Sequence, residues 1–171
     1  FFVALCTVLI GAFFGTLIGA VTGYFGGWLD EIIMRINDAL SAFPSILLAL
    51  IFISLLGTGK YNIILALGIL FIPSFARIVR SAVLSVRDME YVEAARAIGV
   101  KTGRTIFRYI LPNCMGPIIV QTTLRIAATI SNTAALSFLG LGVKEPQPEW
   151  GALLSSGREF IRDSGYLATI P

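Results

Sequence analysis

The sequence predicts an all-α membrane protein built as a bundle of transmembrane helices. Of its residues, 56% are hydrophobic and 13% are charged, about half the charged fraction of roughly 25% that soluble domains carry. Charge-free segments recur along the chain, each long enough to cross a hydrocarbon core of about 30 Å as a helix. Basic residues concentrate between Arg77 and Arg108, which is typical of a cytoplasmic loop under the positive-inside rule.

Composition also excludes several classes of function. The chain has no histidine, which excludes His-based catalysis and His-ligated metals. Cys6 and Cys114 show neither metal-ligand spacing nor a disulfide pattern. The net charge of +3 reflects one basic loop without aromatic stacking platforms, so nucleic-acid binding is not predicted. GTGK at 57–60 lacks the full spacing of a phosphate-binding loop.

The first predicted span covers about residues 1–22, which carry no charge. Gly11, Gly15 and Gly19 recur at four-residue spacing on it. Small residues at this spacing let a second helix approach closely. We expect this face to pack within the same chain, and a dimerisation face is the alternative.

Residues 23–38 are expected to form a short glycine-rich break before the second span. Asp30 and Glu31 suit the first turn of the following helix, because the helix dipole favours anions there. Arg35 and Asp38, at i, i+3 spacing, are expected to pair. This pair is interpreted as interfacial and structural, with a buried functional pair as the alternative.

The second and third spans are predicted at 39–59 and 61–78, joined by a turn. Pro44 either kinks the second span or marks its first turn. Pro73 lies inside the third span. Arg77 and Arg80 are expected at its cytoplasmic end.

The basic loop, about residues 81–111, is predicted to contain a short helix at 91–98 followed by a second at 102–109. Gly99 stands where the first helix would end in a left-handed cap. Three apolar residues are expected on one face of that helix: Val92, Ala95 and Ile98.

The fourth predicted span covers residues 113–143, which are apolar except for Arg125 and several uncharged polar residues. An arginine at this depth costs several kcal/mol unless it is paired or meets water. This polar side therefore lines a path through the membrane or, alternatively, forms structural hydrogen bonds between helices. The candidates for the path are Gln121, Arg125, Ser131 and Asn132.

Parity of the spans gives the expected topology. With the basic loop in the cytoplasm, the chain starts outside, and the turn at 57–61 and the polar loop at 144–165 are also outside. The first residue is not Met and the last residues turn apolar again. We therefore expect a single domain over residues 1–171, truncated at both ends, with about four complete spans and the start of a fifth.

The central loop also carries a recognisable pattern. Glu93-Ala94-Ala95, then Gly99, then Ile110-Leu111-Pro112 resembles the EAA loop of binding-protein-dependent ABC importer permeases. Further segments are similar to the dipeptide, oligopeptide and nickel permease subunits of that family, and the resemblance runs from about Thr22 to Gly157. These segments are GYFGGWLDEIIMRINDALSAFPSILLAL, EYVEAARAIG and LSFLGLGVKEPQPEWGALL.

The resemblance implies a type I ABC importer permease fold, in which the EAA loop forms a coupling helix that docks into a groove on an ATPase subunit. ATP binding then drives the spans between inward and outward openings. The docking residues that it implies here are Glu93, Ala94, Ala95, Gly99, Leu111 and Pro112.

The same resemblance implies a permease for di- or oligopeptides that is not itself an enzyme and binds no cofactor or metal. ATP and Mg would be used by two partner ATPase subunits. The other implied partners are a second homologous permease and an extracytoplasmic substrate-binding protein. The implied location is the plasma (inner) membrane of a bacterium or archaeon.

Three other functions are considered as alternatives. A permease of the same family for nickel or glutathione-like substrates is the first. An ion-coupled secondary transporter would require intramembrane acids, and the only acid near a span is Asp38, at its edge. A membrane enzyme is disfavoured because no HExxH, GxSxG or paired intramembrane carboxylates occur.

Overall fold

A computed structural model describes residues 1–142 together with Gly157, Phe160, Ile161 and Gly165. Every regular element between residues 1 and 142 is helical. Five helices come first, and a broken helical segment then leads into the last one. The bounds are α1 Phe2–Phe25, α2 Gly27–Ser41, α3 Ser45–Leu56, α4 Lys60–Val86, α5 Glu90–Ala97, α6 Thr102–Arg104 with a π-helical turn Thr105–Ile110 and a 3₁₀ turn Leu111–Cys114, and α7 Met115–Phe138.

Helices α1 and α4 pack along the glycine face of α1. A Cβ added at Gly11 would lie 2.7 Å from the Cβ of Phe71, and one added at Gly19 would lie 2.5 Å from the carbonyl oxygen of Ala76. These separations are shorter than real Cβ contacts, so α4 can lie this close only because glycine has no side chain. The glycine face therefore packs within the chain, as expected.

The second predicted span is wrong as a continuous helix. Helix α2 continues to Ser41, α3 begins at Ser45, and the two helices are bent by 88°. Pro44 has φ −56° and ψ 125° and precedes the first residue of α3, so it marks a first turn. The 12 residues of α3 extend about 18 Å. Residues 27–38, expected to belong to a break, form most of α2.

Two helices, α1 and α4, are long and apolar enough to cross a membrane, and the bent pair of α2 and α3 would make a third crossing. This count falls below the four spans expected. Helix α7 is 24 residues long, but its polar residues keep it out of this set. Helix α4 continues to Val86, well beyond the predicted end of the third span. The loop expected at 144–165 and the start of a fifth span lie outside the described residues, apart from the four named above.

One hydrophobic core lies at the end of the bundle where α1 and α4 finish. It joins α1, α4, α5, the π-helical turn and α7 in one apolar cluster. The elements are thereby held together around α5. Its buried members are Ala20, Val79, Val83, Val86, Val92, Ile106, Ile110, Leu111, Cys114 and Ile118.

Candidate functional site

Helix α5 is a short helix with a defined end at Gly99. Gly99 has φ +78°, a backbone conformation that favours glycine. The N–H of Val100 donates to the carbonyl of Ala95 at 3.1 Å, and the N–H of Gly99 donates to that of Arg96 at 2.9 Å. These two bonds form a Schellman cap. The predicted helix and its left-handed glycine are confirmed, with the helix bounds one residue earlier.

One side of α5 is buried and the other is exposed. Val92 lies in the apolar cluster and Ala95 is also buried, whereas Glu93 and Ala94 are exposed. Ile98 was predicted to share the buried face of Val92 and Ala95. This prediction is wrong, because Ile98 is 79% exposed. It stands at the helix end, where the cap redirects the chain.

The six candidate docking residues differ in how far they are buried. Ala95 and Leu111 are buried in the core. The other four are exposed and available to a partner: Glu93, Ala94, Gly99 and Pro112. The structure thus makes Ala95 and Leu111 packing residues and leaves the other four at the surface.

Two arginines fasten this loop to the end of α1. The guanidinium of Arg87 donates to the carbonyl of Gly23 at 3.0 Å. Arg96 lies over the ring of Tyr24, 4.9 Å from its centroid, and donates to the carbonyl of Arg87 at 3.3 Å. A displacement of α5 would therefore be transmitted to α1 as well as to α4.

The exposed surface beside α5 is apolar and basic. A depression of about 690 Å³ lies at the C-terminal end of α5, and Phe107 further along the loop is 60% exposed. Such a surface suits a partner that presents acidic and apolar side chains. The depression is lined by Ile98, Gly99, Val100, Lys101, Gly103 and Arg104.

The second loop helix is irregular where a regular helix was expected at 102–109. A π-helical turn covers Thr105–Ile110, and the N–H of Leu111 donates to the carbonyl of Ile106. Pro112 follows in the 3₁₀ turn. Proline has no N–H and disrupts a regular helix. The irregular turns before α7 are therefore consistent with Pro112 at this position.

A polar cluster joins α7 to α4. Gln121 Nε2 donates to Ser74 Oγ at 2.8 Å, and Arg125 Nη2 donates to the same oxygen at 2.5 Å. The guanidinium of Arg125 also lies 5.1 Å from the ring centroid of Phe71. Sequence reasoning missed Ser74, although a hydroxyl beside Pro73 in an apolar span was the available signal.

The four candidate path residues do not all meet. Gln121, Arg125 and Asn132 share one face of α7 by their i, i+4 and i+11 spacing. Ser131 lies on another face, is exposed, and donates only to the carbonyl of Ala127 at 3.4 Å. Only Gln121 and Arg125 contact another helix through Ser74.

Ion pairs connect α2 to α4, and one of them corrects the sequence prediction. Asp38 pairs with Arg77 at 2.9 Å instead of with Arg35. Asp30, in the first turn of α2, accepts two hydrogen bonds of 2.5 Å from Arg80. These partners are about 40 to 50 residues apart in the chain, so local spacing could not identify them.

No group of three or more His, Cys, Asp or Glu side chains that could hold a metal occurs in the part of the chain that the structure describes. The absence of a bound cofactor stays an expectation.

Comparison with known proteins gives a consistent match. Residues 15–170 match the family described as binding-protein-dependent transport system inner membrane component. A dipeptide transport system permease protein of Alkalihalophilus pseudofirmus is 48% identical over 158 residues, which is 92% of this chain and 52% of that protein.

Two further relatives carry related names. A glutathione transport system permease protein of Pectobacterium atrosepticum is 43% identical over 165 residues, 96% of this chain and 55% of that protein. A di/tripeptide transport system permease protein of Pseudomonas aeruginosa is 40% identical over 169 residues, 99% of this chain and 56% of that protein. The chain therefore spans about half the length of these relatives.

Proposed function

The chain belongs to the family of binding-protein-dependent transport system inner membrane components, and we propose that it provides a transmembrane permease subunit of an ATP-driven importer of small peptides. Three relatives named for dipeptide, di/tripeptide and glutathione transport support a peptide substrate. A glutathione-like substrate is the second candidate. Nickel has no such support here, and family membership argues against an ion-coupled secondary transporter.

The observation that carries the proposal is the construction of α5. Its Schellman cap and its buried residues Val92 and Ala95 hold it in one orientation against the bundle. Its other side leaves Glu93 and Ala94 exposed. A short helix that is rigid on one side and accessible on the other is suited to receive a partner and to pass its displacement to the spans.

The proposed roles follow from exposure. Glu93, Ala94, Gly99 and Pro112 form the surface that meets the ATPase subunit, and Glu93 offers a charge-assisted hydrogen bond. Small alanines permit close approach to a groove. Behind this surface, Leu111 packs in the apolar cluster with α4 and the π-helical turn, and Ala95 is buried.

The proposed assembly contains a second permease, two ATPase subunits that hold ATP and Mg, and an extracytoplasmic receptor. It lies in the inner membrane, and the relatives named above are all bacterial. This chain is the transport subunit and the ATPases perform hydrolysis. Gln121 and Arg125 lie beside the translocation path, together with Asn132 on the same face of α7.

The test uses the full-length parent, reconstituted in proteoliposomes with its partner permease, ATPases and receptor. Gly99→Asp and Glu93→Lys should each abolish most peptide uptake and receptor-stimulated ATP hydrolysis while the subunits still assemble in the membrane. Gly99→Asp adds a negative charge at the docking surface, in a left-handed conformation that Asp tolerates better than most residues.

Matched variants separate charge from backbone geometry. Gly99→Asn tolerates the left-handed conformation better than most residues and has nearly the same shape as Asp, so it should retain more uptake. Glu93→Gln preserves size and should lie between the wild type and Glu93→Lys. Normal transport by both charge variants, or uptake driven by a proton gradient without ATP, would refute the proposal.

A further inference from the structure

A cavity of about 310 Å³ lies where the bend between α2 and α3 meets α4 and α7. Ligand pockets in proteins begin at about 300 Å³, so this space can hold one small polar group with part of its carrier. Its polar lining combines two arginines with three serines. They are Arg77, Arg125, Ser41, Ser45 and Ser74.

The two arginines differ in their charge balance. Arg77 is paired with Asp38 at 2.9 Å and also donates to Ser41 at 3.3 Å. Arg125 has no carboxylate within ion-pair distance among the described residues. The described lining therefore carries one uncompensated positive charge.

This charge lies deep in the bundle. Arg125 is ten residues, or about 15 Å, from the start of α7, and Ser74 is twelve residues, or about 18 Å, from the end of α4. Because α4 and α7 are expected to cross a hydrocarbon core of about 30 Å, both positions are expected to lie within it. A charge at this depth costs several kcal/mol unless an anion or water meets it.

Hydrogen bonding prepares Arg125 to bind an anion. Ser74 Oγ accepts from both Gln121 and Arg125, so its own O–H remains to donate, and no described residue accepts from it. Contact with Ser74 and the ring of Phe71 fixes the guanidinium plane. Arginine has five N–H donors, so most of them are available to two oxygens of one ligand.

We propose that this cavity binds the carboxylate of the transported peptide, with Arg125 as the charged ligand and Ser74 as a hydroxyl donor. The inference rests on the proposed function and adds the chemical group that the site recognises. A single carboxylate balances the single unpaired charge, and its two oxygens match the planar fork of arginine. The N-terminal end of α3, at Ser45, adds a weak attraction for the same charge.

The experiment compares alanyl-alanine with its C-terminal amide in proteoliposomes containing the complete transporter. Loading of the receptor with each compound is measured first, so that uptake is compared at equal delivery. The wild type should favour the free acid. Arg125→Gln should lower uptake of the acid about tenfold or more, because hydrogen bonds to charged groups are the strong ones, and should leave uptake of the amide unchanged.

Two variants control for folding and for loss of charge elsewhere. Arg125→Lys keeps the charge and should retain a preference for the acid, weaker than that of the wild type. Arg35→Gln removes an exposed arginine on α2 and should leave both uptakes unchanged. If Arg125→Gln fails to assemble, equal uptake of acid and amide by the wild type still refutes the proposal.

Other results would show whether the carboxylate site or the proposed function is wrong. Equal loss of acid and amide uptake in Arg125→Gln would assign Arg125 a purely structural role and overturn the carboxylate site. An effect that appears only in vesicles containing phosphatidylglycerol would assign the anion to a lipid headgroup, which also overturns it. Receptor-stimulated ATP hydrolysis is recorded throughout, and its absence in the wild type would instead contradict the proposed function.

Discussion

Asp30 and Arg80 form the least exposed of the ion pairs in the described residues, with their side chains 12% and 32% exposed. Both oxygens of the carboxylate accept from the guanidinium, one from Nε and one from Nη2. The paired geometry holds the start of α2 against α4. Because both groups are largely removed from water, loss of either partner leaves the other poorly solvated.

Asp30→Asn should therefore lower the free energy of unfolding by about 2 kcal/mol, since hydrogen bonds to charged groups contribute about 1.5–3 kcal/mol. The measurement is denaturant unfolding in detergent. The control is Asp88→Asn, because Asp88 is 68% exposed and pairs with Arg87 at 3.3 Å. Exposed pairs contribute about 1 kcal/mol at most. An equal effect of the two substitutions would contradict this account.

At the scale of an element, the contact between α1 and α4 depends on an uninterrupted row of glycines. Gly23 extends the row that Gly11, Gly15 and Gly19 begin, and a Cβ there would lie 2.9 Å from the Cβ of Val83. The backbones of the two helices can approach because no side chain stands between them. This contact fixes the position of α4, which carries both Ser74 and the attachment of α5.

Gly19→Ala should separate α1 from α4 and lower stability by about 1–3 kcal/mol, the usual cost of overpacking. This exceeds the gain of about 0.5–1 kcal/mol that alanine provides in a helix. The control is Gly116→Ala in α7, where an added Cβ meets nothing within 4 Å and stability should not fall. Thermal unfolding in detergent distinguishes the two, and a Gly19 variant as stable as the wild type would disprove the close contact.

At the scale of the whole molecule, the two ends of the bundle are expected to face different compartments. The first turn of α4 carries Tyr61, which is 69% exposed, and the opposite end of the bundle carries Ile98, which is 79% exposed. The loop of α5 is basic, and basic loops stay in the cytoplasm. The same loop is tied to α1 through Arg87 and Arg96, so we expect docking at α5 to move the cytoplasmic end of the bundle as a unit.

Single cysteines at these positions test the topology in a background in which Cys6 and Cys114 are replaced. A membrane-impermeant maleimide should label Tyr61→Cys from outside and Ile98→Cys only in inverted vesicles. Bound ATPase subunits should protect Ile98→Cys and leave Tyr61→Cys unchanged. Labelling of both positions from the same side would overturn the topology.

The sequence alone determined the all-helical class, the family pattern, the short helix α5 and its glycine cap at Gly99. These features depend on composition and on contacts within a few residues, such as the Schellman bonds of Val100 and Gly99, so they can be read from a short stretch of chain. The glycine face was also predictable, because four-residue spacing places small residues on one side of a helix, and the structure decided that it packs within the chain.

Only the tertiary structure decided the 88° bend at Pro44, the pairing of Asp38 with Arg77, and the meeting of Gln121 and Arg125 at Ser74. Each depends on groups that lie on different helices and far apart in the chain. Local spacing favoured an Arg35–Asp38 pair, which was wrong because packing against α4 gave Asp38 a different partner, Arg77. A kink or a first turn was expected at Pro44, but the size of the bend was not. The exposure of Ile98 was missed for a related reason, since the path of the chain beyond a helix end is set by what that end packs against.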